Sequence, residues 1–91
     1  MEFSGEVAIV TGGGSGIGEH VTRQLVENGV KTQIFSRSRG EETANNLGSN
    51  CNFLKTDVTE PQSVKESVKK TIDQFGRLDY LVNNAGFTSD N

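Results

Sequence analysis

Cysteine, histidine, proline, methionine and tyrosine each occur once in these 91 residues, and tryptophan does not occur. A single cysteine excludes an internal disulfide, and one cysteine with one histidine supplies no metal-ligand constellation. Cys51 is expected to be a small buried apolar residue, and His20, on a helix, a solvent-exposed or satisfied structural residue rather than a ligand. No apolar run approaches the roughly 18 residues that a membrane-spanning helix needs. Basic charge is also sparse: nine Lys and Arg stand against twelve Asp and Glu, a formal net charge of −3. The basic residues are scattered and form no stripe for a nucleic-acid backbone. The opening Met1-Glu2-Phe3-Ser4 has neither a basic n-region nor an Arg-rich amphipathic pattern, so no secretion or organelle signal is expected and the setting is expected to be cytoplasmic. Hydrophobic residues make up only 32%. A chain of this size buries about two-thirds of its unfolded surface by the usual scaling, so a single thin-cored domain spanning residues 1–91 is expected, incomplete or dependent on a partner.

Glycine, by contrast, is plentiful, with eleven residues, and the densest stretch is Thr11-Gly12-Gly13-Gly14-Ser15-Gly16-Ile17-Gly18. It follows the apolar run Val7 to Val10 and precedes a segment of helical spacing, the strand–turn–helix context that gives such a loop chemical meaning. Glycines let the backbone turn with positive φ and let a ligand approach without meeting a Cβ. The first N–H groups of the helix lack intrahelical partners and carry the positive end of its dipole, so a pyrophosphate suits the position. Two familiar spacings fail here. G-x-G-x-x-G read from Gly12 ends on Ile17, and a nucleoside-triphosphatase loop read from Gly13 meets Glu19 and His20 where Lys and Ser/Thr must hold phosphate and Mg²⁺. The spacing present is T-G-x-x-x-G-x-G.

The rest of the chain alternates. Ile17, Val21 and Leu25 at i, i+4, i+8 predict a helix from about Gly16 to Asn28 packed on a sheet through that stripe, with Gly29 as its cap. Lys31 to Phe35 is expected to be a second strand, followed by the polar Ser36-Arg37-Ser38-Arg39-Gly40. Glu41 to Leu47 is a short helix capped by Gly48, and Cys51 to Thr56 a third strand closed by Asp57-Val58. Thr59 and Gln62 have the spacing of a capping box, with Pro61 in the first turn. Val64, Val68, Ile72 and Phe75 predict the buried stripe of the helix that follows, and Gly76 its end. Leu78 to Val82 is a fourth strand that delivers Asn83-Asn84-Ala85-Gly86. This βαβαβαβ order with short loops implies a Rossmann-like α/β fold, a doubly wound parallel sheet in the order 3-2-1-4. That order sets the glycine loop and Asn83-Asn84-Ala85-Gly86 on either side of the topological switch point, where ligands of such sheets bind.

Thr11 to Gly18, Asp57-Val58 after the third strand and Asn83-Asn84-Ala85-Gly86 after the fourth resemble, in order and spacing, the N-terminal cofactor half of short-chain dehydrogenase/reductases. The likeness runs from about Gly5 to Gly86. It implies that Gly12, Ser15, Gly16, Ile17 and Gly18 carry a pyrophosphate, that Asp57 and Val58 meet the adenine, and that Asn84, Ala85 and Gly86 close on the adenine ribose and brace the sheet. It implies also a nicotinamide cofactor and hydride transfer to or from a carbonyl or alcohol.

An NAD enzyme places a carboxylate at the end of the second strand for the ribose 2′-hydroxyl, whereas the 2′-phosphate of NADP needs positive charge and donors. Here Ser36 and Arg37 stand at that position, with Arg39 near, so NADP is favoured and NAD is the alternative. The family's catalytic tyrosine has a lysine four residues later, but Tyr80 is followed there by Asn84 and lies in a strand. No catalytic residue is therefore assigned. The resemblance implies a homo-oligomer for the complete form. The alternatives are a non-catalytic dinucleotide-binding module and a structural fragment that needs another chain to cover its fourth strand.

Overall fold

The computed structural model describes residues 5–12 and 16–84. Four strands and three helices alternate: β1 (Val7–Thr11), α1 (Gly16–Glu27), β2 (Lys31–Ser36), α2 (Glu41–Leu47), β3 (Cys51–Lys55), α3 (Pro61–Phe75) and β4 (Tyr80–Asn83). All strand pairs are parallel, in the order β3-β2-β1-β4. The expected sheet order is thus the observed one. The last strand is shifted, opening at Tyr80 rather than Leu78 and running on to Asn83, while β2 extends to Ser36.

β1 lies between β2 and β4 and is buried along its whole length, with Ala8, Ile9 and Val10 at 0% exposure. Strands covered on both faces are apolar runs rather than alternating ones, and this one obeys the rule. Each such Val or Ile contributes about 1.5–3 kcal/mol of burial. Neighbouring strand residues point to opposite faces, and β2 shows what covers each. Ile34 packs in a cluster with Ala44, Cys51, Val26, Leu47 and Phe53, the α1 and α2 side. Gln33 donates from Nε2 to Thr71 Oγ1 of α3 at 3.1 Å, so α3 covers the opposite face. The winding is double.

Three local expectations are corrected. In α1 the buried residues are Gly18 and Thr22, with Val26 reaching the cluster on the same face. Ile17, expected in the packed stripe, is 74% exposed. The helix sits too close to the end of β1 for a large side chain, so its contact face is small, and the Thr22 hydroxyl is satisfied by donating to Gly18 O at 2.8 Å.

In α3 the buried residues are Ser67 and Thr71, while Ile72 is 42% exposed. The sheet beneath presents Gln33 and Thr56, and the helix turns its hydroxyls to them: Thr56 Oγ1 and Ser67 Oγ lie 2.7 Å apart. Val64 and Val68 are displaced to the flank, where they line a groove with Phe35 and Leu81.

The capping box does not form either. The residue before Pro61 is Glu60, which makes no side-chain cap. Thr59 lies one position too early for its hydroxyl oxygen to accept from the first turn, and it donates from both N and Oγ1 to the Asp57 carboxylate, a charged acceptor.

The opposite end of the sheet is pinned by polar groups. Asp79 Oδ2 accepts the Val7 N–H at 2.9 Å, and the Asp79 N–H donates to Val7 O at 2.8 Å. Arg77 grips the same carboxylate with two bonds of 2.9 and 2.8 Å. β4 is otherwise the open margin of the sheet, with Leu81 60% exposed.

Candidate functional site

The chain leaves β1 towards β2 and β3, then returns through α3 to β4 on the other side of β1. The carboxyl ends of β1 and β4 therefore flank the point where the winding reverses, and the side chains there are tied together. Thr11 Oγ1 donates to Asn83 Oδ1 at 3.1 Å and accepts the Asn84 N–H at 2.8 Å. Asn84 Nδ2 reaches Gly12 O at 3.5 Å, and the Gly12 N–H donates across to Phe35 O at 2.8 Å. Thr11 thus links the start of the glycine loop to the end of β4. The sequence places Thr11 at the head of the T-G-x-x-x-G-x-G spacing but gives it no contact; the structure shows it as the link.

The three described glycines of the loop differ in what they do. Gly12 and Gly16 have φ of 70° and 57°, the left-handed region where side chains are strained. A Cβ on Gly16 would meet nothing within 4 Å, so the space beside it is open. A Cβ on Gly18 would collide with the Gly12 carbonyl and stand 2.8 Å from Asn84 Nδ2. Gly18 is therefore a packing glycine that lets the first turn of α1 press on the loop and on Asn84. Ile17 is exposed between them. Ser15, Ala85 and Gly86, also expected in the site, lie outside the described residues.

A second cluster forms where β2 and β3 end. The Thr56 N–H donates to Ser36 O at 2.9 Å and holds the two ends together. Arg37 Nη1 lies 3.9 Å from Asp57 Oδ2, with the Arg37 side chain 71% exposed. Asp57 is fixed by its neighbours: Oδ1 accepts from Thr59 N at 3.0 Å and Thr59 Oγ1 at 2.6 Å, and its own N–H donates to Ser63 Oγ at 2.9 Å. Those Thr59 bonds, with the Arg37 charge adding less, hold the Asp57 carboxyl below the usual carboxylate range. Thr59 and Ser63 were not foreseen as supports, although a threonine two residues after an aspartate is the usual pattern of an Asx turn. Ser36 Oγ accepts the Arg39 N–H at 3.3 Å, which leaves its hydroxyl proton to donate elsewhere. Val58 lines the apolar groove of about 160 Å³ beside α3, together with Thr11, Phe35, Val64, Val68, Leu81 and Asn83.

Chemically, the first cluster offers unstrained close approach at the N-terminus of a twelve-residue helix, and the second a solvent-facing guanidinium beside a fixed carboxylate. Both suit an extended, multiply charged anion with an apolar end. Among the described residues no group of three His, Cys, Asp or Glu could hold a metal, and no helix is long and apolar enough to cross a membrane. Cys51 is buried, and burial pushes its thiol up to about 11. Tyr80 donates from its hydroxyl to Glu6 Oε1 at 3.0 Å, at the far end of β4 from the loop.

Comparison with known proteins agrees with this arrangement. An uncharacterised oxidoreductase from Thermotoga maritima is 43% identical over 96% of this chain and 36% of its own length. The 3-oxoacyl-(acyl-carrier-protein) reductase of Vibrio cholerae is 40% identical over 100% of the chain and 38% of its own length. The L-fucose dehydrogenase of Bos taurus is 44% identical over 93% and 32%. The chain thus spans about a third of the length of these relatives. The sequence profile described as short chain dehydrogenase matches residues 6–91, and with the sheet order and the loop geometry it establishes that this chain belongs to the short chain dehydrogenase family.

Proposed function

We propose that these residues form the cofactor-binding portion of an oxidoreductase that moves hydride between a nicotinamide dinucleotide, NADP in preference to NAD, and a carbonyl or alcohol. The observation that carries the reading is the joining of Thr11, Gly12, Gly18 and Asn84 at the switch point, with Arg37 free to face solvent one strand away. The residues fit the group. The space beside Gly16 leaves room for a pyrophosphate to reach the first N–H groups of α1, while Gly18 lets the helix come near enough to present them.

When bound, the dinucleotide supplies the hydride chemistry, and the protein supplies binding and orientation. In this reading Gly12, Ser15, Gly16, Ile17 and Gly18 hold the pyrophosphate, and Asp57 and Val58 meet the adenine. Asn84, Ala85 and Gly86 close on the ribose. Ser36 donates to a 2′-phosphate and Arg37 pairs with it. The reductase and dehydrogenase names of the relatives support the class of reaction. Since the chain spans about a third of them, the proton-transferring residues and the substrate pocket are assigned to polypeptide beyond these 91 residues. The exposed Leu81 on β4 favours such a continuation or a partner against that edge.

Titration calorimetry of the chain with NADPH and NADH tests the reading. Tighter NADPH binding is expected. Arg37→Ala should then weaken NADPH by about 1.5–3 kcal/mol, the range for a hydrogen bond to a charged group, and leave NADH nearly unchanged. Equal losses for both nucleotides would refute the 2′-phosphate assignment.

A further inference from the structure

The pairing of Arg37 with Asp57 bears on cofactor choice in a way that neither residue does alone. Asp57 is held in place by its neighbours. Its Oδ1 is held by two bonds from Thr59 and its backbone by Ser63, so Oδ2 stays on the Arg37 side. Arg37, 71% exposed and 3.9 Å from that oxygen, is too far for a hydrogen bond and is drawn by charge only. A carboxylate that merely attracts a mobile guanidinium does not orient it. It occupies part of the positive potential that a phosphate would otherwise meet in full. Among the described residues, Arg37 is the charge that acts on Asp57.

We propose that Asp57 is a specificity-setting counterweight: in the free chain its fixed carboxylate stands in for the ligand's phosphate at Arg37, and so restrains the preference for 2′-phosphorylated nucleotides. The proposal rests on the dinucleotide reading above. A 2′-phosphate must draw Arg37 from Asp57 and then lie near an uncompensated carboxylate, whereas a 2′-hydroxyl incurs neither penalty. Removing one unit charge within about a Debye length of a dianion changes affinity a few-fold. Any contact of Asp57 with the adenine is common to both kinds of nucleotide and cancels in their ratio.

The test uses two small probes, adenosine 2′,5′-bisphosphate and adenosine 5′-monophosphate, titrated calorimetrically into the 91-residue chain. Asp57→Asn keeps the shape and still accepts from Thr59. It is expected to raise the bisphosphate-to-monophosphate affinity ratio by roughly two- to five-fold, since like charges are then fewer. In an Arg37→Ala background the same change should raise the ratio less, since only the direct repulsion between carboxylate and phosphate is then removed. An unchanged or lowered ratio in folded Asp57→Asn, or an equal rise without Arg37, overturns the proposal. A second measurement needs no variant. The Asp57 carboxyl, followed by carbon NMR in the original chain, should titrate at higher pH with the bisphosphate bound than with the monophosphate, because the phosphate has taken Arg37 away. No difference overturns the proposal even if Asp57→Asn does not fold. A folded chain that binds neither probe would instead remove the dinucleotide reading itself, and this inference with it. A chain that prefers the bisphosphate but ignores Asp57 leaves that reading standing and removes only the counterweight.

Discussion

Gly18→Ala tests whether α1 is pressed against the glycine loop as the structure places it. The added methyl would lie inside the contact distance of Gly12 O and 2.8 Å from both Gly12 C and Asn84 Nδ2. The nearest obstacle is backbone at the end of a fully buried strand, which cannot turn away as a flexible side chain can. Inserting a methyl into so closed a space typically costs about 1–3 kcal/mol or more. Against that, alanine in place of glycine within a helix gains up to about 1 kcal/mol. A net loss of about 2 kcal/mol is expected. For a domain of 60–100 residues each kcal/mol shifts the midpoint by about 4–8 °C, so thermal unfolding followed by circular dichroism should show a Tm lower by roughly 8–16 °C. Trimming Asn84 to Ala in the same variant should not restore the Tm, because the Gly12 carbonyl remains in the way. An unchanged or raised Tm for Gly18→Ala would refute the close approach, and with it the argument that this glycine brings the helix N-terminus to the loop.

Two further outcomes follow from titrating groups. The Asp79 carboxyl is held below its ordinary range, first by the two bonds from Arg77 and then by the Val7 N–H. A depressed folded value means that its stabilising effect is complete above about pH 4 and is lost as pH falls through the folded value. Urea unfolding between pH 5 and pH 2, values set about that range, should show stability declining with acid. The decline should be shallower in Asp79→Asn, and parallel curves would argue against the clamp. For Cys51, a thiol raised to about 11 and buried beneath α2 should resist alkylation in the native chain at about pH 8. It should react at the rate of global unfolding, and rapid modification of folded protein would contradict the packing of that cluster.

The sheet order, the element sequence and the pairing of the glycine loop with Asn84 were all legible because they rest on signals that chemistry fixes locally: glycines before a helix, an apolar run for β1, turn residues between short elements. What escaped was the polar interior. Hydrophobic periodicity in α3 pointed to Val64, Val68, Ile72 and Phe75, yet the sheet side of that helix is Ser67 and Thr71. In α1 it chose Ile17, Val21 and Leu25, one position away from the buried Gly18 and Thr22. A method that counts apolar residues cannot see a face buried through paired hydroxyls, since its members look like surface residues until their partners are known. Gln33 and Thr56 are those partners; Gln33 lies on β2, 38 positions before Thr71, and Thr56 just after β3, 11 positions before Ser67. The same limit hid Thr11, whose hydroxyl bonds span 72 and 73 positions of sequence.

These polar links also explain why fold and site are hard to separate in so small a chain. Thr11 holds β4 to β1 through Asn83 and Asn84, and Asn84 in turn reaches the Gly12 carbonyl against which Gly18 packs. Among the described residues β4 is the margin of the sheet, with Leu81 exposed and β1 as its one strand partner. Its bonds to Thr11 add to the β1–β4 ladder at its carboxyl end. A ligand bound against Gly12 and the start of α1 would stabilise β4 through the same atoms, because whatever binds the folded state alone adds to its stability. Weakening β4 would equally loosen the hold on the Gly12 carbonyl. The candidate site is in this sense the seam of the half-sheet, and its residues serve structure and binding at once.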